Sequence, residues 1–178
     1  MTPSIVSVFG SSSPVPGDPV YALAEEVGAV LAGAGHAVQT GGYMGTMEAV
    51  SKGAAEAGGH VIGVTSDAIE AFRPTGPNPW VQEEVRTATL RERLIHLTTT
   101  CRAAVVLPGG VGTLTELALI WNQVLVGELP PIPILTLGQP WSDLLEVMSD
   151  PAHVAPKHHA LVRSVERAGD LPGLIGAC

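Results

Sequence analysis

The sequence predicts an α/β fold: a doubly wound parallel sheet in a three-layer α/β/α arrangement, with residues 1–178 forming a single domain. Three observations lead there. Short apolar runs alternate along the whole chain with longer segments of helical periodicity. The runs are apolar throughout rather than alternating, as in AAVVL at 103–107, which is the pattern of strands covered on both faces. The 21 glycines and 15 prolines are spread between these segments, where they mark turns rather than a linker. A chain of 178 residues is long enough to bury roughly 70% of its unfolded surface in one core.

The elements follow in order. Ile5–Phe9 reads as a buried strand, followed by the loop GSSSPVPGDP. Asp18-Pro19 supplies an N-cap and a proline for a first helical turn, and Leu23, Val27, Val30, Leu31 and Ala34 keep helical spacing until Gly35 ends the helix. His36–Thr40 is a second strand. Gly41-Gly42 follow at once, then a helix from Gly45 to Ala57 with Met47, Val50, Ala54 and Ala57 as its apolar stripe. Val61–Thr65 is a third strand, 74–79 an irregular loop, and Val85–Thr87 a short strand. The helix Thr89–Thr100 is expected to turn Leu90, Leu94 and Leu97 inward and to carry Thr89, Arg93, His96 and Thr100 on another face. The central strand Ala103–Leu107, a helix over Thr113–Val126, a strand over Ile132–Leu137, a helix over Trp141–Met148, and a last strand and helix at Leu161–Val165 and Ala168–Ile175 complete the chain.

Charge narrows the function. The formal net charge is −8, from 9 basic and 17 acidic residues, so nucleic acids and acidic membrane surfaces are repelled and any anion must be held locally. The N-terminal MTPSIVSVFG has no basic segment ahead of an apolar stretch, and no run of 18 apolar residues offers a membrane span, so a cytoplasmic location is expected. Cys101 and Cys178 are too few for a disulfide framework or a cysteine-rich metal site.

In a sheet of this kind ligands bind beyond the carboxyl ends of the strands. Three turns rich in glycine and serine lie there: Gly10–Ser13, Gly41–Gly45 and Gly109–Gly112. The strongest motif is Pro108-Gly109-Gly110-Val111-Gly112-Thr113-Leu114-Thr115-Glu116, running from a central strand into a helix. Glycines there let backbone amides approach an anion, and the helix start adds unpaired N–H groups and a positive dipole end, which suit a phosphate. Thr113-x-x-Glu116 equally fits a capping box that merely closes the helix start. The loop lacks the lysine of a Walker A motif and the position and third glycine of a dinucleotide fingerprint. Of seven arginines, Arg86, Arg91, Arg93 and Arg102 fall within 17 residues just before the central strand, as anion ligands or as a solvated face paired with Glu83, Glu84 and Glu92. No cofactor is expected: a pyridoxal enzyme needs a Schiff-base lysine, and neither Lys52 nor Lys157 belongs to a recognisable site. No metal is expected either, since the His153, His158, His159 cluster lacks a completed ligand set.

PGGVGTLTE resembles the PGGxGTxxE signature of the LOG family, the cytokinin riboside 5′-monophosphate phosphoribohydrolases, whose members are often mislabelled lysine decarboxylases. VFGSSSP, TGGYMGTMEAVSKGAAEAGGHVIGV and TLRERLIHLTTTCRAAVVLPGG resemble the family's first turn, second turn with its helix, and arginine-bearing helix, over roughly residues 4–137. The resemblance implies a Rossmann-like sheet, a nucleoside monophosphate substrate, and a homodimer with the active site at or near its interface. It implies a catalytic pair of Arg93 and Glu116. Phosphate contacts fall on Gly110, Gly112 and Thr113, with Ser11 or Ser12 assisting; Gly41, Gly42 and Gly109 complete the candidate nucleotide-binding set. Glu116 would stay ionised at a helix N-terminus and stabilise positive charge on the ribose ring. Phe9 stands where cysteine is usual, Leu90-Arg91-Glu92-Arg93 replaces Met-His-x-Arg, and the second turn reads Gly-Gly-Tyr-Met-Gly-Thr-Met-Glu. That turn is similar to the one in molybdenum-cofactor carrier-like proteins, which makes a non-catalytic nucleotide or pterin-phosphate carrier the rival expectation. The helix Thr113–Val126, with Leu114, Leu117, Ile120, Trp121, Val124 and Leu125 around most of its circumference, offers the face for a second subunit.

Overall fold

Seven strands form, most of them from the apolar runs, and all of them pair in parallel. The computed structural model describes residues 3–176; Cys178 lies outside the described residues. The strands are β1 (Ile5–Phe9), β2 (Ala37–Thr40), β3 (Val61–Ser66), β4 (Glu83–Thr87), β5 (Ala103–Val106), β6 (Ile134–Leu137) and β7 (Val162–Val165). They lie in the order β4-β3-β2-β1-β5-β6-β7. The helices between them are α1 (Pro19–Gly33), α2 (Thr46–Glu56), α3 (Asp67–Phe72), α4 (Leu90–Thr99), α5 (Val111–Leu125), α6 (Trp141–Met148), α7 (Pro156–His159) and α8 (Leu171–Ile175).

The strand order reverses between β1 and β5, whose register runs Val6 to Ala103 through Phe9 to Val106. On one face, Val6, Val8, Val38, Val105 and Leu107 pack against Ala24, Val27 and Leu31 of α1 and Val50 and Ala54 of α2. On the other, Phe9, Ala104 and Val106 meet Leu97 of α4, Leu117, Ile120 and Trp121 of α5 and Trp141 of α6. These are the three layers that continuously apolar strands demand.

Several elements differ from the sequence reading. The stripe of α4 is displaced: Leu90 is 49% exposed, while Arg93, Leu97 and Thr98 are the buried residues. A polar seam fixes this orientation. Ser7 Oγ donates to the Leu97 carbonyl at 2.7 Å, Gln39 Nε2 donates to Ser7 Oγ at 2.8 Å, and the same amide reaches Thr100 Oγ1 at 3.1 Å. Buried polar groups must find partners, and here those partners belong to α4, so the helix is locked with Arg93 facing the sheet. The helix α5 begins at Val111, with Gly110 as its N-cap, rather than at Thr113. The six-residue α3 lies between the third strand and the 74–79 loop, where the sequence reading places no element, and none of its residues is buried. The last helical segment divides into a 3₁₀ turn, Ala168–Asp170, and α8.

Candidate functional site

The first turn and the β5–α5 turn face each other where the strand order reverses. Backbone bonds stitch them together: the Ser11 amide donates to the Pro108 carbonyl at 3.2 Å, and the Thr46 amide donates to the Ser11 carbonyl at 2.8 Å. Thr46 Oγ1 adds a second bond to that carbonyl at 3.0 Å. Gly45, at φ +74°, makes the approach possible, since a side chain there would run into the backbone of Ser11 and Ser12.

A cavity of about 350 Å³ opens between these turns. Its walls include Gly10–Ser13, Gly110–Thr113, Tyr43, Met47, Arg93 and Glu116, with Ile69, Phe72, Arg73 and Thr75 on the α3 side. The structure therefore brings together Ser11, Ser12, Arg93, Gly110, Gly112, Thr113 and Glu116. Gly41, Gly42 and Gly109 do not line the cavity. Gly41 lies behind Arg93, whose guanidinium occupies the space a side chain would need, and Gly109 is covered by the Thr113 side chain.

Arg93 is held by the backbone. Its Nε donates to the Val64 carbonyl at 2.7 Å and its Nη2 to the Gly41 carbonyl at 3.0 Å, and the guanidinium sits 5.6 Å from the Tyr43 ring centroid. The remaining terminal nitrogen, Nη1, lies 3.9 Å from Glu116 Oε1. This is an ion pair without a hydrogen bond. Burial pulls the arginine below its ordinary pKa, and Glu116 and Tyr43 oppose that shift.

Glu116 contradicts the expectation of a carboxylate kept ionised by the helix terminus. With α5 starting at Val111, Glu116 stands in the second turn, beyond the strongest part of the dipole. It is 8% exposed and accepts no hydrogen bond among the described residues. Burial pushes its pKa up from 4.5 to about 7, and Arg93 at 3.9 Å only partly offsets this. The capping-box reading of Thr113 and Glu116 fails for the same reason, because the N-cap is Gly110 and no side chain caps α5. The amides of the first turn, Val111 to Thr113, are left to the cavity, together with a Thr113 hydroxyl that makes no hydrogen bond among the described residues.

The other arginines have other work. Arg86 binds Asp67 at 2.7 Å and Glu70 at 2.8 Å, fastening α3 to β4. Arg91 and Arg102 are exposed. Among residues the sequence reading did not select, Met47 sits with its sulfur 3.9 Å from Arg93 Nη2 rather than in a purely apolar stripe, and Tyr43 and Arg73 line the cavity. Neither lysine borders it: Lys52 pairs with Glu25 at 3.0 Å between α1 and α2, and Lys157 is an exposed residue of α7. A Schiff-base enzyme would need one of them here. Among the described residues no helix is long and apolar enough to cross a membrane, and no cluster of three or more metal-ligating side chains occurs.

Comparison with known proteins shows what the chain as a whole is similar to. A family model described as "Possible lysine decarboxylase" matches residues 47–174, more than half of the chain. A Mycobacterium tuberculosis protein named cytokinin riboside 5′-monophosphate phosphoribohydrolase is 33% identical over 158 residues, which cover 85% of this chain and 82% of that protein. The chain belongs to the LOG family. Among solved structures, a molybdenum cofactor carrier protein from Chlamydomonas reinhardtii superposes on this LOG-family chain with a TM-score of 0.72 at 25% identity, over 96% of this chain and 95% of that one. A molybdenum cofactor binding protein from Rippkaea orientalis gives 0.78 at 21% identity, over 98% and 96%, and shares the fold.

Proposed function

We propose that this LOG-family chain hydrolyses the N-glycosidic bond of a nucleoside 5′-monophosphate, of the cytokinin riboside monophosphate or AMP type, to a free base and ribose 5-phosphate. The observation that carries the reading is the Glu116 carboxyl: buried, without a hydrogen-bond partner among the described residues, and facing the same cavity as the uncapped start of α5. A phosphate seated on the Val111–Thr113 amides and the Thr113 hydroxyl, with Ser11 and Ser12 opposite, would present its ribose to Glu116. Anchoring one end of the substrate turns that binding into orientation at the reacting carbon.

In the reaction, a water oxygen bonds to the anomeric carbon and the C–N bond breaks, its electron pair leaving on the base. Glu116 accepts the water proton and passes a proton to the departing nitrogen. A carboxyl with its pKa near 7 is well matched to take and return a proton at neutral pH. In its ionised form it also stabilises the positive charge that builds on the ribose. Arg93, immobilised by two carbonyls, keeps that carboxylate directed without neutralising it by a direct hydrogen bond. The name borne by the Mycobacterium tuberculosis relative supports the reading.

The likeness to the Chlamydomonas carrier protein, with the Gly-Gly-Tyr-Met-Gly-Thr-Met-Glu turn, favours one other reading: the same phosphate grip without bond cleavage. Incubation with AMP and with a cytokinin nucleotide, followed by chromatography, separates the two. Release of free base supports the hydrolase. Retained nucleotide without product supports the carrier.

A homodimer belongs to the same proposal. Ile120, Trp121, Leu117 and Val124 are covered by the chain's own residues, whereas Leu114 and Leu125 stay 41% and 36% exposed beside Val111 at 82%. This strip of α5 adjoins Leu144 and Met148 of α6 in an apolar groove that a second copy would cover. Light scattering that finds only monomer at micromolar concentration refutes it.

A further inference from the structure

The cavity carries three charged side chains, Arg73, Arg93 and Glu116. Two of them answer each other. Arg93 spends its Nε and Nη2 on the Val64 and Gly41 carbonyls and stands 3.9 Å from Glu116 with what remains. It cannot swing toward a ligand without stranding two buried carbonyls. A phosphate monoester arriving here brings up to two negative charges to a site that already holds an acidic side chain, in a protein of formal net charge −8. Backbone amides at one helix terminus supply only a partial positive charge.

Arg73 is the side chain placed to supply the rest. It follows α3 directly, and its backbone is fixed: its amide donates to the Ile69 carbonyl at 2.7 Å. The helix is tied down by Arg86 through Asp67 and Glu70, and Glu70 also accepts from the Tyr43 hydroxyl at 3.4 Å. The guanidinium itself is barely committed. Nη1 reaches Ser12 Oγ at 3.3 Å and the Met44 sulfur at 4.0 Å, and among the described residues no carboxylate lies within 4.0 Å of it. Arg73 is thus an exposed arginine without an acidic partner, leaning on a serine of the first turn at the edge of the cavity.

We propose that Arg73 is a phosphate-binding residue of this site, closing on the monoester from the α3 side while the α5 amides hold it from the other, and displacing its weak bond to Ser12 to do so. This deepens the reading of a nucleoside 5′-monophosphate ligand and rests on it for the identity of the sugar and base. The chemistry it requires is a phosphate monoester, and a guanidinium fork suits that group.

Calorimetry with ribose 5-phosphate and with inorganic phosphate tests this on the whole chain, with AMP turnover followed in parallel. Arg73→Ala should weaken ribose 5-phosphate binding about ten- to a hundredfold, the usual range for losing a charged hydrogen bond. Arg73→Lys should recover part of that loss. Ser12→Ala breaks the same intramolecular bond and takes one neutral hydroxyl from the phosphate's surroundings but keeps the charge, and should cost several-fold less than Arg73→Ala. Equal affinity in wild type and Arg73→Ala overturns the assignment, as does a Ser12→Ala loss as large as that of Arg73→Ala, which would make the arginine a support for the first turn. If the wild type binds neither probe at millimolar concentration, the assignment and the monophosphate reading fall together. If binding depends on Arg73 but no free base is released from AMP or a cytokinin nucleotide, the hydrolase reading falls and this one stands.

Discussion

Two helix starts in this protein carry the same four-residue pattern and do opposite things. Thr89-Leu90-Arg91-Glu92 opens α4, and Thr113-Leu114-Thr115-Glu116 lies at the start of α5. At α4 the pattern closes on itself. The Glu92 amide donates to Thr89 Oγ1 at 3.2 Å, while the Glu92 carboxylate accepts from the Thr89 amide at 3.0 Å and the Ala88 amide at 3.1 Å. At α5 the helix has begun two residues before the threonine, so neither side chain can reach back, and no side chain caps the end. The capped terminus spends both its threonine and its glutamate on its own amides, and Glu92 faces solvent. The open one keeps its donors, and its glutamate, freed from capping, is buried against a cavity. An uncapped helix start that faces a cavity, as that of α5 does, keeps amides for an anion.

The comparison breaks most sharply at the two glutamates. Glu116→Gln should lower turnover of a nucleoside monophosphate by about a thousandfold, within the span usual for a general base. Glu92→Gln should leave turnover unchanged within about threefold, because its amide oxygen still accepts from the Thr89 amide. Similar losses in both variants would mean that the glutamate of α5 is only structural.

Acidity sharpens the same contrast. Glu116 keeps its proton to about pH 7 in the folded chain but releases it near 4.5 when unfolded. Folding therefore takes up a proton between those values, and this group's contribution to stability falls as pH rises from about 4.5 through about 7. The loss amounts to about 3 kcal/mol. Thermal melts should show Glu116→Gln gaining on wild type as pH is raised from 5 to 8, with most of the gain made by pH 7. Turnover should run the other way in the wild type, rising with pH as the carboxyl ionises through about 7. A pH-independent difference between the two melts would remove the buried carboxyl from the account.

What sequence could and could not convey follows from the same residues. The parallel sheet and its layering were readable because apolar runs with punctuating glycines report burial directly, and the β1 and β5 turns were expected at the ligand end for that reason; the strand order itself rests on pairings between distant segments. The face of α4 was misread, because the hydrophobic pattern selects leucines and the buried residue at the decisive position is an arginine. Only its bonds to Val64 and Gly41, 29 and 52 residues away, make that burial tolerable. The start of α5 was misplaced because Gly110 and Gly112 look like loop and Thr113 looks like a cap. Arg73 escaped notice because α3 buries nothing of its own and owes its place to charges on β4.

The finest test compares the two threonines. Thr89→Val removes a hydroxyl that accepts from the Glu92 amide and should cost about 1 kcal/mol of stability, with no change in ligand affinity. Thr113→Val removes a hydroxyl that makes no hydrogen bond among the described residues while keeping the bulk that covers Gly109. Its stability should hold within about 0.5 kcal/mol, and ribose 5-phosphate binding should weaken by up to about tenfold. The pair is informative because the two substitutions are chemically identical. If Thr113→Val lost stability as Thr89→Val does and bound ligand as before, the α5 terminus would be behaving as a closed one, and the distinction between the two helix starts would vanish.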